Sequence, residues 1–345
     1  MIFHSNGYLK FFVSVAAILA VLLSGCDSDD NASVNLNLVE GVDTTLIKTS
    51  FDFESQFLTV NGQQLHHIDE SGTGVNTFVF IHGLPTWSYL WRNVMPHLKN
   101  RGRIVAIDLI GHGKSAKPDI EYTIGNIADF AVRQLDQLDL GDDIILVLQD
   151  WGGPVGFEYA RQNPDRIKGM VFFETLFAPV PSFDVFPPDF AEFQQFIRTG
   201  EEGDNTPGSS WDVMVNQQFM FESLVPDLIL RTLSDEEMSR YREPFAEINE
   251  RKVMWQLPQE VPIGGDPAEA QAFFETLQAF LTTTQIPKYM PHGDPGFNVS
   301  DDDYEFWTTI LPNSSHETVG EGLHFLQEDA PHELGIAIKK WVDAL

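Results

Sequence analysis

The feature that most constrains this chain is a series of short, largely apolar runs, each closed by a polar residue or glycine. Phe78–Ile81, Ile104–Ile107, Ile144–Leu148, Met170–Phe173 and Lys288–Met290 are the runs. Segments this short and this apolar suit strands buried on both faces, as in parallel sheets covered by helices. Upstream, Phe51–Val60 and Gln63–Ile68 flank Asn61-Gly62 and read as an opening hairpin. Helical patterns fit Ile124–Leu138, Pro154–Gln162 and Pro331–Val342. This alternation predicts an α/β fold around a mostly parallel sheet.

The chain has 345 residues, more than the usual domain of about 100–200. Roughly 110 residues separate the run ending at Phe173 from the one starting at Lys288, where a crossover needs only about 10–12. The excess predicts a helical cap inserted after the sixth strand, at about residues 178–286, within a domain spanning residues 51–345. The cap is rich in aromatic residues: Phe183, Phe186, Phe190, Phe193, Phe196, Trp211, Phe219 and Phe221. Most should pack the cap's own core, and a minority should line an apolar cavity.

Charge and the N-terminus bound the partners. The net charge is −30, from 51 acidic and 21 basic residues, which disfavours nucleic acid and anionic lipid surfaces. Phe11–Leu23 is apolar except for Ser14, follows a single basic residue, Lys10, and ends in Ser24, Gly25 and Cys26. The run is short for a membrane-spanning helix of roughly 20 residues and has the build of an export signal. Leu23-Ser24-Gly25-Cys26 resembles the lipobox of bacterial lipoproteins, which implies a signal over residues 1–25 and lipidation of Cys26, the only cysteine. An ordinary cleaved signal or an uncleaved anchor are the alternatives. Residues 26–50 are polar and acidic and read as a tether. The expected location is the bacterial envelope on the periplasmic side, with membrane contact only through the lipid. The sequence carries no signal for an oligomeric state.

Ligands of open α/β sheets bind beyond the carboxyl ends of the strands, so the residues at those ends are the candidates for chemistry. Ile144–Leu148 runs into Gln149-Asp150-Trp151-Gly152-Gly153 and then a helix. This is the place of a nucleophile elbow, with Asp150 at its apex and no G-x-S-x-G anywhere in the chain. A helix N-cap is the competing role for Asp150, and the pentapeptide alone leaves the two level. Phe78–Ile81 ends in His82-Gly83-Leu84-Pro85, a loop placed to offer the backbone N–H of Leu84 to an oxyanion beside that of Trp151; His82 reads as structural. His324, in the loop before the last helix, is the candidate base. The acid is Glu174 or Asp294. Glu174 is preferred, because a carboxylate ending a buried strand requires a partner, whereas Asp294 before a proline suits a turn.

Taken together, HGLPTWSYLWR (82–92), DLIGHGKSAKP (108–118), QDWG (149–152), YREPF (241–245) and GLHFLQED (322–329) resemble the haloalkane dehalogenases of the α/β-hydrolase superfamily, from about Leu58 to the C-terminus. The likeness is greatest to the subfamily with an Asp-His-Glu triad. It implies attack by Asp150 on a small apolar halogenated substrate, stabilisation of the leaving halide by the Trp151 indole, hydrolysis of the resulting ester by His324 with Glu174, and no cofactor or metal. One position departs from the family pattern: an asparagine that supplies a second halide donor is here Leu84. Trp211 or Trp255 of the cap are the candidates to replace it. An epoxide hydrolase would use the same triad with cap tyrosine protons, for which Tyr241 is the main candidate; a non-catalytic binding protein tethered to the envelope is a further alternative.

Overall fold

The computed structural model describes residues 46–345; the expected signal, Cys26 and most of the expected tether lie outside the described residues. The sheet has eight strands: β1 (Ser55–Val60), β2 (Gln63–Glu70), β3 (Asn76–Ile81), β4 (Gly102–Ile107), β5 (Ile144–Gln149), β6 (Ile167–Phe173), β7 (Lys288–Pro295) and β8 (Ser314–Gly322). Their order is β1-β2-β4-β3-β5-β6-β7-β8. β1 and β2 form the antiparallel hairpin, β2 is antiparallel to β4, and every pair from β4 to β8 is parallel. Asn61 and Gly62 both take positive φ, 49° and 80°, the conformation a two-residue hairpin turn requires.

The central strands alternate cleanly between two cores. Val79, Ile81, Leu146 and Leu148 face one side, where α1 (Ile124–Gln137) and α2 (Gly152–Gln162) pack. Phe78, Phe80, Ile145 and Val147 face the other, against Leu334 and Ile338 of the last helix, Pro331–Val342. Coverage of both faces is why these runs are continuously apolar. Helix α1 begins where the Thr123 hydroxyl accepts the Asn126 N–H at 3.2 Å, an N-cap that satisfies one of the free donors of the first turn.

Two expectations change. β8 was not foreseen, because its sequence, SSHETVGEG, is mostly exposed or half-buried at the edge of the sheet and carries no apolar run. Residues 46–50 are not a free tether either. The Leu46 carbonyl accepts from His332, the Lys48 carbonyl accepts from Arg92 Nε at 2.6 Å, and Tyr89 donates to the Thr49 carbonyl at 2.8 Å.

Between β6 and β7 the chain is helical and covers the carboxyl end of the sheet. A buried ion cluster ties it down. Arg92 donates to both oxygens of Glu328 at 2.6 and 2.9 Å and to Glu237 at 3.0 Å. Arg231 bridges Glu237 and Glu328 at 2.6 and 2.5 Å, and the Tyr241 hydroxyl also donates to Glu328. Arg92 and Glu328 are fully enclosed, so each charge depends on the others. Removing one partner of such a pair typically costs about 3–5 kcal/mol. The segments HGLPTWSYLWR, YREPF and GLHFLQED all contribute to this cluster, and Glu328 lies four residues after His324. The covering segment and the histidine loop are thereby fastened to one another.

Candidate active site

β5 delivers Asp150 through a strained turn. Asp150 has φ of 52° and Glu174, at the end of the adjacent β6, has φ of 47°. Non-glycine residues in the left-handed region cost of order 1–3 kcal/mol and persist where the surroundings hold them. The two turns hold each other: the Asp150 N–H donates to the Glu174 carbonyl at 3.1 Å, and the Thr175 hydroxyl donates to the Asp150 carbonyl at 2.7 Å. Close approach also explains the neighbouring glycines. A Cβ on Gly83 would lie 2.2 Å from Asp150 Oδ1, and one on Gly152 would lie 2.2 Å from the Ile81 carbonyl oxygen.

Asp150 is not a helix cap. Trp151 occupies the N-cap position of α2, with no side-chain cap bond. Asp150 Oδ1 instead accepts the Leu84 N–H at 2.7 Å, and the carboxylate also accepts the Trp151 backbone N–H. Burial raises the carboxyl above its ordinary pKa, opposed by the His324 charge and these two N–H groups. The second oxygen, Oδ2, is left facing His324, 3.6 Å from Nε2.

His324 is buried, and its Nδ1 lies 3.0 Å from Glu174 Oε2. Glu174 also accepts the N–H groups of Phe297 and Asn298 at 3.0 and 2.8 Å, so a nearly enclosed carboxylate is fully paired. Burial alone would depress the His324 pKa; the hydrogen bond that the ring donates to Glu174 and the charges of Asp150 and Glu174 outweigh it, leaving the imidazole above its ordinary value. A carboxylate accepts only, so Nδ1 carries a proton and Nε2 is the atom available as base. Of Glu174 and Asp294, Glu174 is the one in contact with His324. Asp294 lies within β7, exposed, in register with Glu321.

His82 is structural, as its loop position suggested. Its Nδ1–H donates to the Gly83 carbonyl at 2.8 Å and its Nε2 accepts the Leu109 N–H at 3.1 Å, which steadies the loop presenting Leu84. Asp108 is likewise committed, accepting from the backbone of Ser88 and Lys114 at 2.8 Å each.

The triad opens into a mainly apolar cavity of about 200 Å³. Phe186, Phe190 and Phe193 of the cap line it together with Leu84 and Trp151; the other five cap aromatics named above do not line it. Neither Trp211 nor Trp255 reaches the cavity. They pack on each other with centroids 5.3 Å apart, and the Trp255 N–H is spent on the Ser210 hydroxyl at 2.9 Å. The expected replacement for the missing donor at Leu84 is therefore not there. Two polar neighbours of His324 were missed. Gln149 Nε2 lies 2.9 Å from His324 Nε2, and Asn298 Nδ2 lies 3.1 Å from His324 Nδ1. Gln149 was visible as the residue before Asp150, but nothing in a lone glutamine signals a partner; Asn298 belongs to no pattern at all.

The pairing of His324 with Glu174 can be measured directly. NMR titration of the His324 ring should give a midpoint above the ordinary 6.5. Glu174→Gln should lower that midpoint, since the neutral amide no longer favours the imidazolium, and Asp294→Asn should leave it in place. A midpoint that follows Asp294 and ignores Glu174 would reverse the assignment.

Comparison with known proteins agrees with this architecture. Residues 76–331 match the family model described as alpha/beta hydrolase fold. A haloalkane dehalogenase of Mycolicibacterium smegmatis is 39% identical over 293 residues, covering 83% of this chain and 90% of that protein. One of Sphingobium indicum is 38% identical over 298 residues, covering 85% and 96%. Among solved structures, haloalkane dehalogenase DbeA from Bradyrhizobium elkani superimposes with a TM-score of 0.79 at 32% identity, covering 85% of this chain and 98% of that one. DatA from Agrobacterium tumefaciens C58 gives 0.76 at 32% identity, covering 84% and 96%. With its fold, its carboxylate elbow and these relatives, the chain belongs to the haloalkane dehalogenases, hydrolases of the α/β-hydrolase fold.

Proposed function

We propose that the chain hydrolyses the carbon–halogen bond of a small apolar haloalkane in two steps through an ester on Asp150. The observation that carries this reading is the setting of the Asp150 carboxylate: it accepts the backbone N–H groups of Leu84 and Trp151, its Oδ2 lies 3.6 Å from His324 Nε2, and the residue lines the cavity. In the first step Oδ2 attacks the halogen-bearing carbon in line, the C–O bond forms, and the halide departs with the bonding electron pair. Trp151 lines the same cavity, and its indole N–H has no hydrogen-bond partner among the described residues, so it can stabilise charge that develops only as the halide leaves. In the second step His324 Nε2 takes a proton from water, the hydroxide attacks the Asp150 carbonyl carbon, and the oxyanion rests on the N–H groups of Leu84 and Trp151. Glu174 orients the ring and stabilises the imidazolium. The reaction as written calls on no cofactor.

Epoxide hydrolysis would require an acidic proton above the elbow. No tyrosine lines the cavity among the described residues, and Tyr241 is buried with its hydroxyl on Glu328. Halide displacement needs no such proton and is favoured. The test is His324→Phe given 1-bromobutane. One equivalent of bromide and a stable butyl adduct on Asp150 are expected by mass spectrometry. Unchanged mass with bromoalkanes, together with diol formation from styrene oxide by the unaltered protein, would overturn the reading.

The N-terminal signal supports a second part of the proposal: export, lipidation of Cys26 and anchoring on the periplasmic side of the envelope. The run Phe11–Leu23 followed by Ser24, Gly25 and Cys26 is the observation behind it. Metabolic labelling with a palmitate analogue should mark the full-length protein and sediment it with membranes, whereas Cys26→Ser should be unlabelled. Equal labelling of both, or of neither, would exclude lipidation at Cys26.

A further inference from the structure

A halide leaving an apolar cavity needs N–H donors, because a bare anion is costly where water is excluded. Leu84 offers none from its side chain, and its backbone N–H is already bonded to Asp150. The other polar side chains around the cavity can be taken one by one. Thr175 donates its hydroxyl to the Asp150 carbonyl, and Asn298 Nδ2 sits at the Nδ1 edge of His324 beside Glu174, away from the Nε2 edge that faces Asp150. The Trp307 N–H is sealed from the cavity surface, in a ring packed on Phe177 and Tyr304. Apart from Trp151 and the triad histidine, the remaining lining side chain that can donate, among the described residues, is Gln194.

Gln194 sits in α3 (Pro188–Ile197), one turn after Phe190, so the two share the helix face turned to the cavity. It is 1% exposed. A buried glutamine normally satisfies both ends of its amide. Here only the oxygen is satisfied, by the Arg198 guanidinium. That contact also settles which way the amide points. A guanidinium donates and cannot accept, so the oxygen must face Arg198 and the NH2 group must face away from it. Arg198 is itself pinned by the carbonyls of Gln194, Gln259 and Val261 at 2.9, 3.1 and 2.7 Å. The amide nitrogen has no protein partner among the described residues and is not among the fully enclosed atoms, while the side chain lines the cavity.

From this arrangement we propose that the Gln194 side-chain NH2 is the second halide donor, acting from the cap with the Trp151 indole and in place of the side-chain donor that Leu84 lacks. The halide leaves with the electron pair of its broken bond to carbon and is received by two N–H groups, with no proton transferred to it. Arg198 is a positioning residue that keeps the amide turned the right way. The inference rests on the proposed dehalogenation.

The test follows halide release from 1-chlorobutane, 1-bromobutane and 1-iodobutane. Gln194→Met conserves volume and removes the donor. Loss of one such donor typically costs on the order of 100- to 1,000-fold, so chloride release should fall by about that factor, with the smallest loss for iodide, the best leaving group. Gln194→Glu keeps the acceptor for Arg198, so it should fold with an undiminished melting temperature and still lose chloride release; it carries the test if the methionine variant does not fold. Adding Leu84→Asn, close to leucine in shape, to Gln194→Met should restore at least tenfold of the loss. Release from either folded Gln194 variant within threefold of the unaltered protein, a loss equal for all three halides, or no rescue by Leu84→Asn would overturn the inference. If the unaltered protein releases no halide from any of the three, the proposed function itself falls.

Discussion

The backbone N–H groups of Leu84 and Trp151, converging on the Asp150 carboxylate, are the interaction on which the rest of the site depends. A carboxylate at the mouth of an apolar cavity tends to take up a proton, and burial pushes Asp150 in that direction. As a neutral acid it could not displace anything. The two N–H groups oppose protonation without adding a mobile charge. Much of the local structure serves this arrangement. β3 and β5 are neighbours, which brings the Leu84 loop beside the elbow; Gly83 and Gly152 permit the approach; the positive φ of Asp150 turns its side chain out of the sheet. In the proposed second step the same donors would hold the ester oxygen, so that one pair of dipoles would act twice.

The covering segment supplies the other half of the site. It shields the cavity with phenylalanines and is fastened to the histidine loop through Glu328, whose carboxylate is shared by Arg92, Arg231 and Tyr241. An enclosed ion cluster is a costly way to gain stability, but it specifies one relative placement of three distant segments. Fixing both the base and the apolar cover relative to Asp150 is what in-line attack requires.

The parts of this molecule legible in its sequence are those with a repeating or positional signal. Strands buried on both faces declare themselves as apolar runs, and the ends of those strands located Asp150, Glu174 and the Leu84 loop. Glu174 was preferred over Asp294 because a buried carboxylate needs a partner, and it has three. β8 was illegible because an edge strand with one wet side has no apolar run. Trp211 and Trp255 were expected near the halide because their residue type suits the task; composition cannot say which way a cap side chain points, and both turned out to pack the cap. Gln149, Asn298 and Gln194 escaped notice for the same reason: a single amide acquires a role only from what it faces.

In the proposed reaction the oxygen delivered to the product comes first from Asp150 and only later from water. A single turnover in water labelled with oxygen-18, with enzyme in excess over 1-bromobutane, tests it most directly. Unlabelled 1-butanol and one labelled oxygen in the peptide that contains Asp150 are expected, since water attacks the ester carbonyl carbon. Labelled alcohol in that first turnover, with an unlabelled peptide, would show direct attack by water and would contradict it.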